Sequence, residues 1–103
     1  MGARTTLGLQ VLSTFLASPQ RELSGSDILL ELGILSGTLY PILVRFEGAG
    51  LLVSRWEDRP ENSVGRPNRR LYRITDSGVA LARVRIEQIN KTAGLIGVPV
   101  VQN

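Results

Sequence analysis

The sequence predicts a mainly α fold with a two-stranded β-hairpin, arranged as a winged helix-turn-helix followed by a C-terminal dimerisation helix. Three observations carry that reading. Apolar residues recur at helical spacing in successive segments before residue 50. The period then changes to that of strands in two short runs, separated by a link rich in turn residues. After residue 75 a helical seam resumes, with more apolar positions than so small a core can use.

The stretch from Leu35 to Glu47 organises the rest. Leu39, Ile42, Leu43 and Phe46 make one apolar stripe. The opposite side carries Gly37, Tyr40, Pro41, Val44 and Arg45, with Thr38 on its edge. That face holds no Asp and no Lys. It is small, hydroxyl-bearing and basic, and suits a groove with a negative rim. An ordinary solvated helix face looks the same in isolation, so the flanking segments decide. Ser36 reads as the N-cap, with Leu35 and Tyr40 at the positions of a hydrophobic staple. Pro41 removes one N–H, which is harmless if the helix starts at Thr38. Gly48-Ala49-Gly50 suits a left-handed C-terminal turn.

Composition narrows the chemistry. A chain of 103 residues is one domain plus an appendage. It is 43% hydrophobic and 20% charged, as a globular protein should be. It has no cysteine, which excludes disulfides, thiolate metal sites and thiol nucleophiles. It has no histidine, which removes the commonest general base and metal ligand. The serines therefore lack an activating base, and Glu57 and Asp58 are adjacent and point apart. No catalytic residue, metal site or cofactor is expected. No apolar run reaches membrane-spanning length and no secretory pattern opens the chain, so a cytoplasmic protein is expected. Net charge is +3, and eleven of the twelve basic residues are arginine, the better bidentate partner for phosphate and guanine. Arg66, Arg69, Arg70 and Arg73 fall within eight residues that contain no acid.

In chain order, residues 1–18 hold a first helix, with Leu7, Val11, Leu12, Phe15 and Leu16 inward and Pro19 after its end. Residues 24–33 hold a short second helix. Ser24 and Asp27 resemble a capping box, Ile28, Leu29 and Leu32 face inward, and Gly33 stops it. The helix from Ser36 to Ala49 comes after a tight turn, which is the order of a helix-turn-helix. Residues 51–57 and 69–75 read as strands, and 58–68 as the long tip of the hairpin between them. Arginines on a hairpin beside a helix-turn-helix favour phosphate or minor-groove contact over a mere guard against edge pairing.

Residues 76–96 form the last helix, capped by Thr75 with Asp76 near its positive end. Val79, Ala82, Ile86, Ile89, Ala93 and Ile96 alternate three and four apart, a heptad-like seam for which a second copy is the simplest partner. The expected organisation is 1–75 for DNA binding, 76–97 for dimerisation and 98–103 as a tail.

The chain resembles the PadR family of bacterial transcriptional regulators. The resemblance rests on Ser36-Gly37-Thr38-Leu39-Tyr40-Pro41 with Leu43 and Glu47, on Gly50-Leu51-Leu52 and on Trp56-Glu57. It continues through Arg66-Pro67, Arg70-Leu71-Tyr72-Arg73-Ile74-Thr75 and Gly78, and covers about residues 5 to 85. It implies a homodimeric winged-helix repressor of the compact branch, with a single C-terminal helix. It also implies that Ser36, Thr38, Tyr40, Pro41 and Arg45 sit at or near double-stranded DNA, with the wing arginines beside them. Some compact members bind flat aromatic effectors between subunits. A small-molecule effector is compatible with the family, but the 76–96 helix has no Trp, Phe or Tyr to stack on one.

The function these readings predict is a sequence-specific regulator, a dimeric repressor on an inverted-repeat operator. The expected contacts are Ser36, Gly37, Thr38, Tyr40, Pro41 and Arg45 from the helix and Arg66, Arg69 and Arg70 from the wing. The alternative is a winged-helix module for protein–protein contact, which would not need arginines gathered on one side.

Overall fold

The computed structural model describes residues 3–59 and 65–95 of the chain, with side chains for 7–59 and 65–92. Four helices and three short strands run in the order α1 (Ala3–Leu16), β1 (Leu23–Ser24), α2 (Gly25–Leu32), α3 (Ser36–Gly48), β2 (Leu52–Trp56), β3 (Arg70–Ile74) and α4 (Asp76–Leu95). The sheet is antiparallel, in the order β1-β3-β2. The sequence predicts a two-stranded hairpin, and β1 is an addition to it. Leu23 pairs with Tyr72 and Ser24 with Leu71, which covers the edge of β3. Two residues are too few to show a period of two, so tertiary pairing alone reveals this strand.

The helix ends obey local chemistry with one exception. Ser24 caps α2 as expected: the Asp27 N–H donates to its Oγ at 3.1 Å, and its own N–H donates to Asp27 Oδ2 at 2.9 Å. That backbone N–H holds the Asp27 carboxyl below its ordinary range. Gly33 closes α2 at φ +65°, a conformation that favours glycine.

The exception is the start of α3. Its N-cap is Leu35, without a side-chain bond, and Ser36 is already helical. The Thr38 and Leu39 N–H groups both donate to the Leu35 carbonyl, at 3.0 and 3.1 Å. The shift also undoes the expected staple. Leu35 is 79% exposed, and the staple positions move to Ile34 and Leu39, both of which join the core. Pro41 is therefore the sixth helical residue, well inside the helix. Its missing N–H leaves the Gly37 carbonyl without its usual donor, on a face that water reaches.

At the other end, the Leu51 N–H donates to the Phe46 carbonyl at 2.9 Å and the Gly50 N–H to Glu47 at 3.1 Å. With Gly50 at φ +77°, this is a Schellman turn that aims the chain directly into β2.

The core joins every element. Val11, Leu12 and Phe15 of α1 meet Ile28 of α2, Leu39, Ile42 and Leu43 of α3, Leu52 of β2, Tyr72 and Ile74 of β3, and Ala82 of α4. The start of α4 is fastened to the end of α3. The Thr75 N–H donates to the Leu51 carbonyl at 3.0 Å, its hydroxyl donates to the Gly50 carbonyl at 2.7 Å, and the Gly78 N–H donates back to Thr75 Oγ1 at 3.0 Å. A methyl at Gly78 would collide with the Leu51 carbonyl, so this junction requires glycine. Fully buried Ala82 makes the first two turns of α4 part of the same core. No packing boundary separates residue 75 from α4.

Candidate nucleic-acid interface

The outer face of α3 is laid out as its spacing predicts. Leu39, Ile42 and Leu43 are buried, while Ser36, Gly37, Thr38, Tyr40, Pro41, Val44 and Arg45 are exposed. Val44 is 70% exposed and continues the face between Pro41 and Arg45. The Arg45 guanidinium lies 5.9 Å from the centre of the adjacent Phe46 ring. Tyr40 is less free than the helical wheel suggests. Its hydroxyl end lies over Gly25 at the start of α2, close enough that a methyl at Gly25 would strike it. The residue both presents a surface and packs α3 against α2.

The hairpin stands beside α3 and is bonded to it. Register places Trp56 opposite Arg70 and Ser54 opposite Tyr72 on one face of the sheet. Ser54 Oγ donates to Glu47 Oε2 of α3 at 2.6 Å and accepts from Arg70 Nε at 2.9 Å. Arg70 also approaches Glu47 at 3.8 Å and lies 5.3 Å from the centre of the Trp56 ring. Burial pushes the Tyr72 phenol above its ordinary value, and the Glu47 carboxylate adds to that. Glu47 and Ser54 thus join α3 to the hairpin. Neither is among the contacts expected from sequence, and their signal is visible only once the register is known.

The wing arginines are paired within the chain. Glu57, one residue past β2, accepts two bonds from Arg66, at 2.5 and 3.0 Å. It also accepts from the Arg69 guanidinium at 3.3 Å and the Arg69 N–H at 3.4 Å. Arg66 foremost, then the Arg69 N–H, hold the Glu57 carboxyl down at about 2. Arg69 Nε is buried without a hydrogen-bond partner. On the face of the sheet opposite Ser54 and Trp56, Arg55 makes a two-point pair with Glu22, both bonds at 2.7 Å. The run from Arg66 to Arg73 contains no acid, but the fold brings Glu57, just past β2, and Glu47 of α3 to it.

A sequence model described as the transcriptional regulator PadR-like family matches residues 23–83, from β1 through the second turn of α4. The chain belongs to the PadR-like family. A PadR family transcriptional regulator from Eggerthella lenta is 30% identical and superposes with a TM-score of 0.75, over 91% of this chain and 80% of that one. A PadR-like transcriptional regulator from Bacillus cereus is 23% identical, with a TM-score of 0.64 over 91% and 86%. A MepR variant from S. aureus shares the fold at 19% identity, with a TM-score of 0.69 over 86% of this chain and 59% of that one. No curated protein matches the sequence. PadR-like proteins are transcriptional regulators, not enzymes. Among the described residues, no helix is long and apolar enough to cross a membrane.

The expected dimer seam of this PadR-like chain is unevenly placed. Ala82 is fully buried in its own core and has no surface to offer a partner; Val79 packs against the same core. Ile86 is half-buried and Ile89 is 37% exposed. The Ala93 side chain and Ile96 lie outside the described residues.

Proposed function

We propose that this chain is a homodimeric transcriptional repressor that sets α3 of each subunit into the major groove of an inverted-repeat operator. The observation that carries the proposal is the acid-free outer face of α3, where Ser36, Gly37, Thr38, Tyr40, Pro41, Val44 and Arg45 are all exposed. The uncapped start of α3 supports it further. With no side chain on the first N–H groups, and the Ser36 and Thr38 hydroxyls exposed, this end suits a backbone phosphate. Arg45 reaches a base edge or the rim of the groove, and Val44 offers an apolar contact. The wing lies beside the same groove, with Arg66, Arg69 and Arg70 at phosphates or the minor groove. The Eggerthella lenta regulator's likeness over most of the chain supports the same role.

The test is binding of the full chain to duplex from the upstream region of its own gene, against scrambled duplex at one fixed salt concentration. Arg45→Ala should cost about 1–3 kcal/mol of discrimination if Arg45 meets a guanine. A loss equal for both duplexes would place Arg45 at a phosphate. No change for either would remove α3 from the groove. The internal pairing of the wing arginines favours a second reading, a protein-contact module. Failure of the wild-type chain to bind any duplex at low salt would select it.

A further inference from the structure

Arg66 and Arg69 already hold an oxyanion, and it is the chain's own. The Arg66 guanidinium grips Glu57 through two parallel bonds, the fork geometry it would use on a phosphate. Arg69 adds its N–H and one guanidinium nitrogen to the same carboxylate. The Glu57 side chain is only 16% exposed, whereas Arg66 and Arg69 are 42% and 36% exposed. The acid is tucked beneath, and the two cations stay within reach of a ligand.

We propose that Glu57 is a specificity-determining residue, standing where a DNA phosphate would stand on Arg66 and Arg69 and so holding down the wing's affinity for duplex of any sequence. The inference rests on the DNA-binding reading of the interface. One carboxylate faces two guanidinium groups, so these three side chains together carry a single net positive charge. A phosphate meeting this wing must displace a charge-assisted pair or share it. Random duplex offers only phosphates against that cost, because nonspecific binding is almost wholly electrostatic. An operator adds contacts from α3. Arg69 is the group left ready to share, since its side chain is 36% exposed and its guanidinium makes a single, long bond to the carboxylate, at 3.3 Å. The sequence hides this arrangement, because Glu57 lies 9 residues from Arg66 and 12 from Arg69.

Glu57→Gln keeps the size and an acceptor oxygen and removes the charge. Fluorescence polarisation of the full chain on random-sequence duplex, titrated with salt, reads the result. Glu57→Gln should bind random duplex several-fold more tightly, and the slope of log K against log salt should steepen by about 0.9–1.8, at roughly 0.9 per phosphate gained. Arg66→Ala placed in the Glu57→Gln background should undo the gain. Unchanged or weaker random binding by a folded Glu57→Gln overturns the proposal. If that variant does not fold, Glu57→Ala takes its place, and unchanged or weaker random binding by a folded Glu57→Ala overturns the proposal just as well. No duplex binding by the wild-type chain would remove the DNA-binding reading itself, whereas binding that ignores Glu57 removes this inference alone.

Discussion

Tyr40 works on two surfaces at once. Its helical position places it on the outer face of α3, where it is 41% exposed, yet its hydroxyl end covers Gly25 of α2. Gly25 has no positive φ, so its backbone accepts a side chain and only the space is lacking. Gly25→Ala should therefore destabilise the chain by about 1–3 kcal/mol through overpacking, if Tyr40 cannot swing aside. In a Tyr40→Ala background the clash is gone and the sign should reverse. Alanine in a helix is then favoured over glycine, by up to about 1 kcal/mol in a helix interior and less at this first position. Urea midpoints of the four chains make the cycle. Equal shifts in both backgrounds would mean that Tyr40 does not rest on α2. The sequence shows Tyr40 on the outer face because helix phase fixes that much. The contact with Gly25 is invisible there, because it depends on how α2 and α3 cross.

At the scale of elements, what the sequence reveals is what neighbouring residues decide. The Ser24–Asp27 cap, the Gly33 stop, the Thr75 cap and the core stripe of α3 all act within one or two helical turns, and all stand where expected. Ser36 is the instructive miss. It is a good capping residue, but burying Ile34 and Leu39 shifts the helix start by one, and packing outweighs a cap worth about 1 kcal/mol. The hairpin is the opposite case: its strands are legible, and its charge partners are not. The base of the hairpin has a pH signature. Glu57 titrates at about 2 in the folded chain against an ordinary 4.5. A depressed carboxyl stabilises the fold above its unfolded value and loses that contribution as pH falls toward its folded value. The melting-temperature gap between wild type and Glu57→Gln should stay constant above about pH 5 and close between about pH 4.5 and pH 2. A gap that does not vary with pH would mean that the Arg66 pair is not formed in solution.

For the whole molecule, the proposed dimer requires two copies of α3 to act together. The apolar seam of α4 looks uniform in sequence because periodicity cannot distinguish one partner from another. In the fold its first turns serve the chain's own core through Val79 and Ala82, and the later turns leave apolar surface at Ile86 and Ile89. Val84 is also exposed, at 49%, but points about 140–160° away from those two around the helix. This divides the proposed interface into a testable half and a control. Ile86→Glu with Ile89→Glu places charge where the second copy would bury it, an unpaired burial that costs about 3–5 kcal/mol. Neither side chain is fully buried in the single chain, so helix content should survive. Sedimentation should show a monomer, and affinity for an inverted repeat should fall by roughly 10²–10⁴, the usual scale of avidity between two linked modules. Affinity for a single half-site should barely change, because each subunit keeps its own α3 and wing. Val84→Glu should leave the dimer intact. A double variant that still sediments as a dimer would move the interface off the Ile86–Ile89 face, and a Val84→Glu monomer would move it to the opposite side of α4.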